Sequence, residues 1–203
     1  METRKKSEKL QELKNRMSKD TSLPLREGAT NLVFGEGDPD TKIFFLGEGP
    51  GYWEDQKGRP FVGNAGALLN QLLYSIEVPR QKVFITNVVC YRPPGNRDPL
   101  PEEISAYTPY IDEMIEIIKP KLIVTLGRFS MAKFIPGAKI TVVHGKTFDV
   151  NWKGTKVTVI PMFHPAAALR SAEVMCLIKE DFQRLPEILK GLNKIETEQM
   201  KLV

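Results

Sequence analysis

Lys42–Ile76 reads KIFFLGEGPGYWEDQKGRPFVGNAGALLNQLLYSI, and the fold turns on this stretch. Lys42–Leu46 is a short β-rich apolar run, and Ala65–Ile76 repeats leucine at helical spacing through Leu68, Leu69, Leu72 and Leu73. Strand, glycine-rich turn and helix in that order are most of a β-α-β unit. Working outward, the alternation returns. Lys82–Thr86 (KVFIT) predicts a second strand, followed by a loop over Tyr91–Leu100 and a helix opened by Pro101, with Glu102 and Glu103 in its first turn. Ile104, Tyr107, Ile111, Met114, Ile115 and Ile118 form its apolar stripe, and Pro120 ends it. Leu122–Leu126 (LIVTL) predicts a third strand, which Gly127 turns into a short helix near Phe129–Phe134. Lys139–Val143 and Lys156–Ile160 read as extended, and a closing helix spans Ala172–Leu192 with Pro186 as a potential kink. Leu10, Leu13 and Met17 predict an N-terminal amphipathic helix. Apolar strands alternating with helices predict an α/β fold, a three-layer α/β/α sandwich around a central, mainly parallel sheet. A single domain over 1–203 is expected, with a helix and connecting segment over 1–30 packed on it.

The 203 residues, 41% hydrophobic and 27% charged, exclude disordered and collagen-like chains. A chain of this length buries roughly 70% of its unfolded surface without needing disulfides or a structural metal. Its longest apolar runs fall far short of the roughly 20 residues that cross a bilayer. The basic first twenty residues lack the apolar run of a signal peptide, so a cytoplasmic protein with no membrane partner is expected. Cys90 and Cys176 are too few for a disulfide framework or a four-thiolate site and read as free thiols. A formal charge of +4 permits a polyanionic partner without demanding one.

In parallel sheets ligands bind beyond the carboxyl ends of the strands, so the loops after Leu46, Thr86, Leu126 and Ile160 carry the candidates. Gly47–Gly66 holds six glycines and two prolines, yet neither GxGxxG nor a terminal GK followed by Ser or Thr. Glu48 and Glu54 would also repel phosphate. Acids beside a rigid turn and Phe61 suit a flat uncharged ring, stacked on Phe61 and read along its edge. Asn87, at the end of the second strand, can present one donor and one acceptor in a plane, as a pyrimidine edge requires, although such an Asn is commonly a turn residue. His164, in FHPAAALR (Phe163–Arg170), is one of two histidines, and its neutral ring can donate to a developing oxyanion. The loop behind it sets a wedge, Leu169, beside Arg170, an arrangement suited to base flipping.

Together these loops resemble the family 4 uracil-DNA glycosylases over nearly the whole chain. Gly47–Gly66 looks like that family's first signature, ITNVV with RPPGNRDPLPEE like its central one, and HPAAALR like its DNA-intercalating loop; LVFGEGDPD and PKLIVTLGR also fit. A related branch with a His in an insertion after the central Asn is disfavoured, because Asn87–Asn96 has neither feature. The resemblance implies hydrolysis of the bond between flipped-out uracil and deoxyribose, leaving an abasic site, as in base excision repair. It places catalytic roles among Glu48, Glu54, Asn96 and His164, uracil contacts at Gly49, Phe61, Asn87 and His164, and DNA contacts at Pro165, Ala166, Leu169 and Arg170. Glu48 and Glu54 remain unranked as the carboxylate that positions water, with Asn96 as a third choice; Glu54 could instead wall the pocket against thymine's methyl. The alternative is a DNA-binding paralogue of the same fold with altered base specificity or no turnover.

Two departures stand out. The family's four cysteines for an iron-sulfur cluster correspond here to Asp20, Leu23, Tyr91 and Tyr107, so no cluster, metal or other cofactor is expected. His144 replaces a residue that is usually Arg. The implied partner is uracil-containing DNA, single- or double-stranded, bound by a monomer, with a sliding clamp or other repair proteins as further candidates.

Overall fold

The computed structural model describes Glu2–Met200. Helix α1 (Glu2–Lys19) leads to β1 (Glu36–Gly37), β2 (Ile43–Gly47), α2 (Tyr52–Lys57), α3 (Asn64–Ser75) and β3 (Phe84–Asn87). Then come α4 (Pro101–Ile118), β4 (Leu122–Leu126), α5 (Arg128–Ala132), α6 (Ile140–Val143), β5 (Phe148–Trp152), β6 (Thr155–Met162), α7 (Pro165–Ala168) and α8 (Ala172–Met200). The six strands form one sheet in the order β1-β3-β2-β4-β6-β5. Strands β3, β2, β4 and β6 run parallel, while β1 and β5 close the edges antiparallel.

The central strands are buried throughout because both faces are covered. On one face Phe44, Leu46, Phe84 and Ile123 pack with Leu13 and Met17 of α1 and Tyr107, Ile111 and Met114 of α4. On the other, Ile43, Phe45, Ile85 and Val124 pack with the α3 leucines and with Ile178, Phe182 and Leu185 of α8. Alternate residues of one strand serve opposite layers, which is the expected sandwich. The connection after β2 leads to β3 on one side, and that after β4 leads to β6 on the other. This divergence opens a crevice at the carboxyl ends of β2 and β4.

Lys139–Val143 corrects an expectation. Its β-branched residues suggested a strand, but Ile140–Val143 coil into a helical turn closed by the Val143 N–H on the Lys139 carbonyl (3.2 Å) and the His144 N–H on the Ile140 carbonyl (3.0 Å). The sheet edge is taken instead by β5, a strand absent from the sequence reading, which pairs with β6 through a two-residue turn. Lys153 and Gly154 both have positive φ (47° and 81°), as this hairpin geometry demands. Helix α8 continues through Pro186 to Met200, and α2 occupies part of the loop expected between β2 and α3. Among the described residues no helix is long and apolar enough to cross a membrane.

Candidate active site

A pocket of about 650 Å³ lies at the crevice, within the range of small-ligand sites. The loops after β2, β3, β4 and β6 all contribute to it, through Glu48 and Phe61, Asn87, Gly127, and His164. Gly49, Asn96, Ala166 and Arg170 line it too. Pro165 is buried beneath the loop, while Leu169 projects outward, 49% exposed.

Asn87 ends β3 fully buried, and its Oδ1 has no hydrogen-bond partner. Such an atom costs on the order of 1–3 kcal/mol unless something completes it. Its placement depends on Gly47: a Cβ there would stand 2.3 Å from Asn87 Oδ1 and 2.7 Å from the Phe61 ring. Phe61 has φ +50°, a conformation that non-glycine residues seldom adopt, and its carbonyl comes so close to Gly66 that a Cβ there would lie 1.9 Å away. The strained turn therefore aims the aromatic ring into the pocket.

The Phe61 ring stacks on His164, with centroids 5.6 Å apart and planes inclined by 28°. His164 caps α7, its Nδ1 accepting the Ala166 N–H at 3.1 Å. A neutral ring that accepts at Nδ1 carries its proton on Nε2, leaving that nitrogen a donor. Burial, reinforced by the charge of Arg170, pushes its pKa down to about 4. The ring is neutral at pH 7.

The two candidate carboxylates sit differently. Both Glu54 oxygens are engaged by backbone: Oε1 accepts from Val62 and Gly63 (2.8 Å each), and Oε2 from Gly51 (3.2 Å). Glu54 thus pins the turn that carries Phe61. Glu48 reaches across to α5, where Oε1 accepts the Phe129 N–H at 3.2 Å. Gly127, at φ +104°, is required there, because a Cβ would lie 2.2 Å from that oxygen. Burial pushes Glu48 above the ordinary carboxylate pKa, against the opposing pull of the Phe129 N–H and the Arg128 charge. Asn96 sits exposed on the rim, its Oδ1 accepting from Arg92 Nε at 2.8 Å. Arg170 donates through Nε to the Ala166 carbonyl at 3.1 Å, which bends it back over its own loop.

The sequence reading took Gly127 only as a strand-to-helix turn and gave no role to Gly47 or to the exposed pair Tyr52–Trp53 at the start of α2. Gly47 has no local signal, since only the Asn87 and Phe61 side chains packed against it make it necessary. Adjacent aromatics in a polar glycine-rich loop could have been noticed.

On the opposite face, Leu23, Tyr91 and Tyr107 join the core beside the buried Cys90, and the Tyr107 hydroxyl donates to the Pro24 carbonyl. Asp20 accepts from the Ser22 N–H (3.0 Å), the Ser22 hydroxyl (2.6 Å) and the Tyr110 hydroxyl (2.7 Å). Among the described residues no group of three or more His, Cys, Asp or Glu is placed to hold a metal ion. His144, the second histidine, pairs through Nδ1 with buried Asp181 at 2.8 Å and lies behind the pocket against Phe163, one of its lining residues.

The sequence model described as "Uracil DNA glycosylase superfamily" matches residues 34–190. The chain is 48% identical over 166 residues to a Type-4 uracil-DNA glycosylase of Sulfurisphaera tokodaii, covering 78% of this chain and 75% of that one. It is 42% identical over 187 residues to a protein of the same description from Thermotoga maritima, covering 91% and 97%. With another from Archaeoglobus fulgidus it shares 44% identity over 170 residues, 81% of this chain and 85% of the relative. The matched span holds every pocket residue described above, and with relatives of this identity it is decisive: the chain belongs to the uracil-DNA glycosylase superfamily.

Proposed function

We propose that the pocket receives uracil flipped out of DNA and that the protein hydrolyses its N-glycosidic bond, leaving an abasic site, as the first step in repair of deaminated cytosine. The buried, unpaired Oδ1 of Asn87 carries this reading. Uracil offers N3–H to that oxygen and O4 to the Asn amide, whereas cytosine offers an acceptor at N3 and an amino group at C4 and mismatches both. Phe61 supplies the stacking face.

As the bond to deoxyribose breaks, positive charge develops on the sugar and negative charge on uracil, mostly at O2. The neutral His164 donates from Nε2 to that oxygen, with Gly49 backbone beside it. A donor fixed in a water-poor site is worth roughly 3 kcal/mol of barrier. Glu48 is the carboxylate read as orienting water or opposing the sugar cation, because both Glu54 oxygens are committed to the Gly51, Val62 and Gly63 N–H groups that shape the Phe61 turn. Glu54 acts as a positioning residue through Phe61, and Asn96 works from the rim through Arg92. Outside the pocket Leu169 fills the gap left by the flipped nucleotide, and Pro165, Ala166 and Arg170 meet the backbone. The substrate is single- or double-stranded DNA in the cytoplasm, bound by a monomer.

Leu23, Tyr91 and Tyr107 are packed apolar or phenolic groups, and the Asp20 oxygens are taken, so these positions do not fit an iron-sulfur cluster. The reaction is read as needing no cofactor. Incubating a labelled single-uracil oligonucleotide with the protein, then treating with alkali, tests the activity: a strand break at uracil is expected, and an intact strand overturns the reading. Purified protein should be colourless, and broad absorbance near ~400 nm with stoichiometric iron would overturn the cofactor assignment.

A further inference from the structure

Tyr52 and Trp53 are 49% and 56% exposed, on a helix whose next two residues are tied inward. Glu54 accepts the N–H groups of Gly51, Val62 and Gly63, and Asp55 Oδ1 accepts those of Thr30 (2.7 Å) and Asn31 (3.2 Å). Helix α2 is therefore anchored on both flanks and holds two aromatic rings outward. The rings meet edge to face, 5.1 Å between centroids at 76°. Each carries a cation: the Arg92 guanidinium lies 5.3 Å from the Tyr52 ring centre and the Lys57 ammonium 5.8 Å from that of Trp53. Arg92 is held in turn by Asn96, which lines the pocket, as do Gly51 and Glu54 of the helix region itself. Aromatic rings, cations and pocket form one continuous surface.

We propose that Tyr52 and Trp53 form a stacking platform for a nucleobase neighbouring the flipped uracil on the same strand, with Arg92 and Lys57 meeting the adjoining phosphates. The proposal rests on the reading of the pocket as a uracil site. The chemistry selects the ligand: every base has a flat π face that stacks on such rings without sequence preference, and the flanking cations match a phosphodiester and not a neutral or cationic partner. The platform matters most on single strands. There a base beside uracil has no complementary strand to hold it, and the protein's rings replace that support; in duplex DNA the neighbour is already paired and stacked.

Binding of a uracil-free oligothymidylate tests this separately from excision, alongside a strand of the same length built of base-less abasic units. Trp53 is one of two tryptophans, so with Trp152→Phe as background its fluorescence reports stacking directly. Oligothymidylate should quench it, and the base-less strand should not. The double variant Tyr52→Ala/Trp53→Ala should bind oligothymidylate about tenfold more weakly but match the wild type on the base-less strand, while Tyr52→Phe/Trp53→Phe should retain most of the affinity. Wild-type affinity of the double Ala variant for oligothymidylate would overturn the platform, as would an equal loss on the base-less strand. Failure of the wild type to excise uracil would refute the pocket reading and leave this result standing on its own.

Discussion

Two regions of the molecule treat their polar groups in opposite ways. On the α1–α4 face, around Leu23, Tyr91 and Tyr107, the phenol of Tyr107 has its carbonyl and Asp20 has three donors, all from within the chain. At the carboxyl ends of the strands, Asn87 Oδ1 has none, Glu48 is partly buried with a raised pKa, and His164 is kept neutral. Groups completed internally hold the fold, whereas groups left incomplete define what must come from outside. Residues six positions apart in one loop show a related contrast, since Glu54 is held by N–H groups of its own loop and Glu48 by the start of α5 across the crevice.

That division is sharpened or broken by substitution. The largest effect is expected at Asn87→Asp, which keeps the shape but replaces the amide donor with a second anion facing the departing uracil. Single-turnover excision should fall by about a thousandfold or more with the melting temperature little changed; near wild-type excision would remove Asn87 from base recognition. His164→Ala should slow the same step by roughly a hundredfold while DNA affinity holds, because in the proposed reading its donor acts mainly once charge has formed on O2. A change in affinity alone would show that His164 binds and does not stabilise the leaving group.

Glu48→Gln should lower the rate by tens of fold, about the lower end for a positioned carboxylate. Its pH dependence is the sharper readout. In the proposed role the ionised form is the working one, and burial raises its pKa, so wild-type activity should be lost as pH falls through a value above the ordinary carboxylate range. The Gln variant should lack that limb; an unchanged limb would assign it to another group. Leu169→Ala should be impaired by roughly tenfold on paired uracil and hardly at all on a single strand, since only a duplex opposes flipping by a few kcal/mol. Equal impairment on both would deny the wedge. In the α1–α4 layer, Tyr107→Phe leaves the Pro24 carbonyl without its donor and should lower stability by about 1 kcal/mol without changing the excision rate. A rate effect there would couple the two regions.

Much of this was legible in the chain. Apolar periodicity in Lys42–Leu46, Leu122–Leu126 and the stripes of α3 and α4 determined the elements, and their alternation determined the layers, because burial on one face or two leaves a repeat of fixed period in the sequence. The motifs also named Asn87, Phe61 and His164, which the structure brings to one pocket. Where local propensity competed with long-range pairing it misled: Ile140–Val143 became a helical turn, and the edge strand formed at Phe148–Trp152, where β6 offered a partner.

Only the tertiary structure decided which polar atoms were engaged. Glu48 and Glu54 are the same residue type in one loop, and what separates them is the position of Val62, Gly63 and Phe129. The His164 tautomer follows from the Ala166 N–H, and the open Oδ1 of Asn87 from a strand packed against Gly47. Periodicity is a property of neighbours along the chain. Hydrogen-bond satisfaction and desolvation are properties of neighbours in space, and they settle which side chains hold the fold and which wait for a ligand.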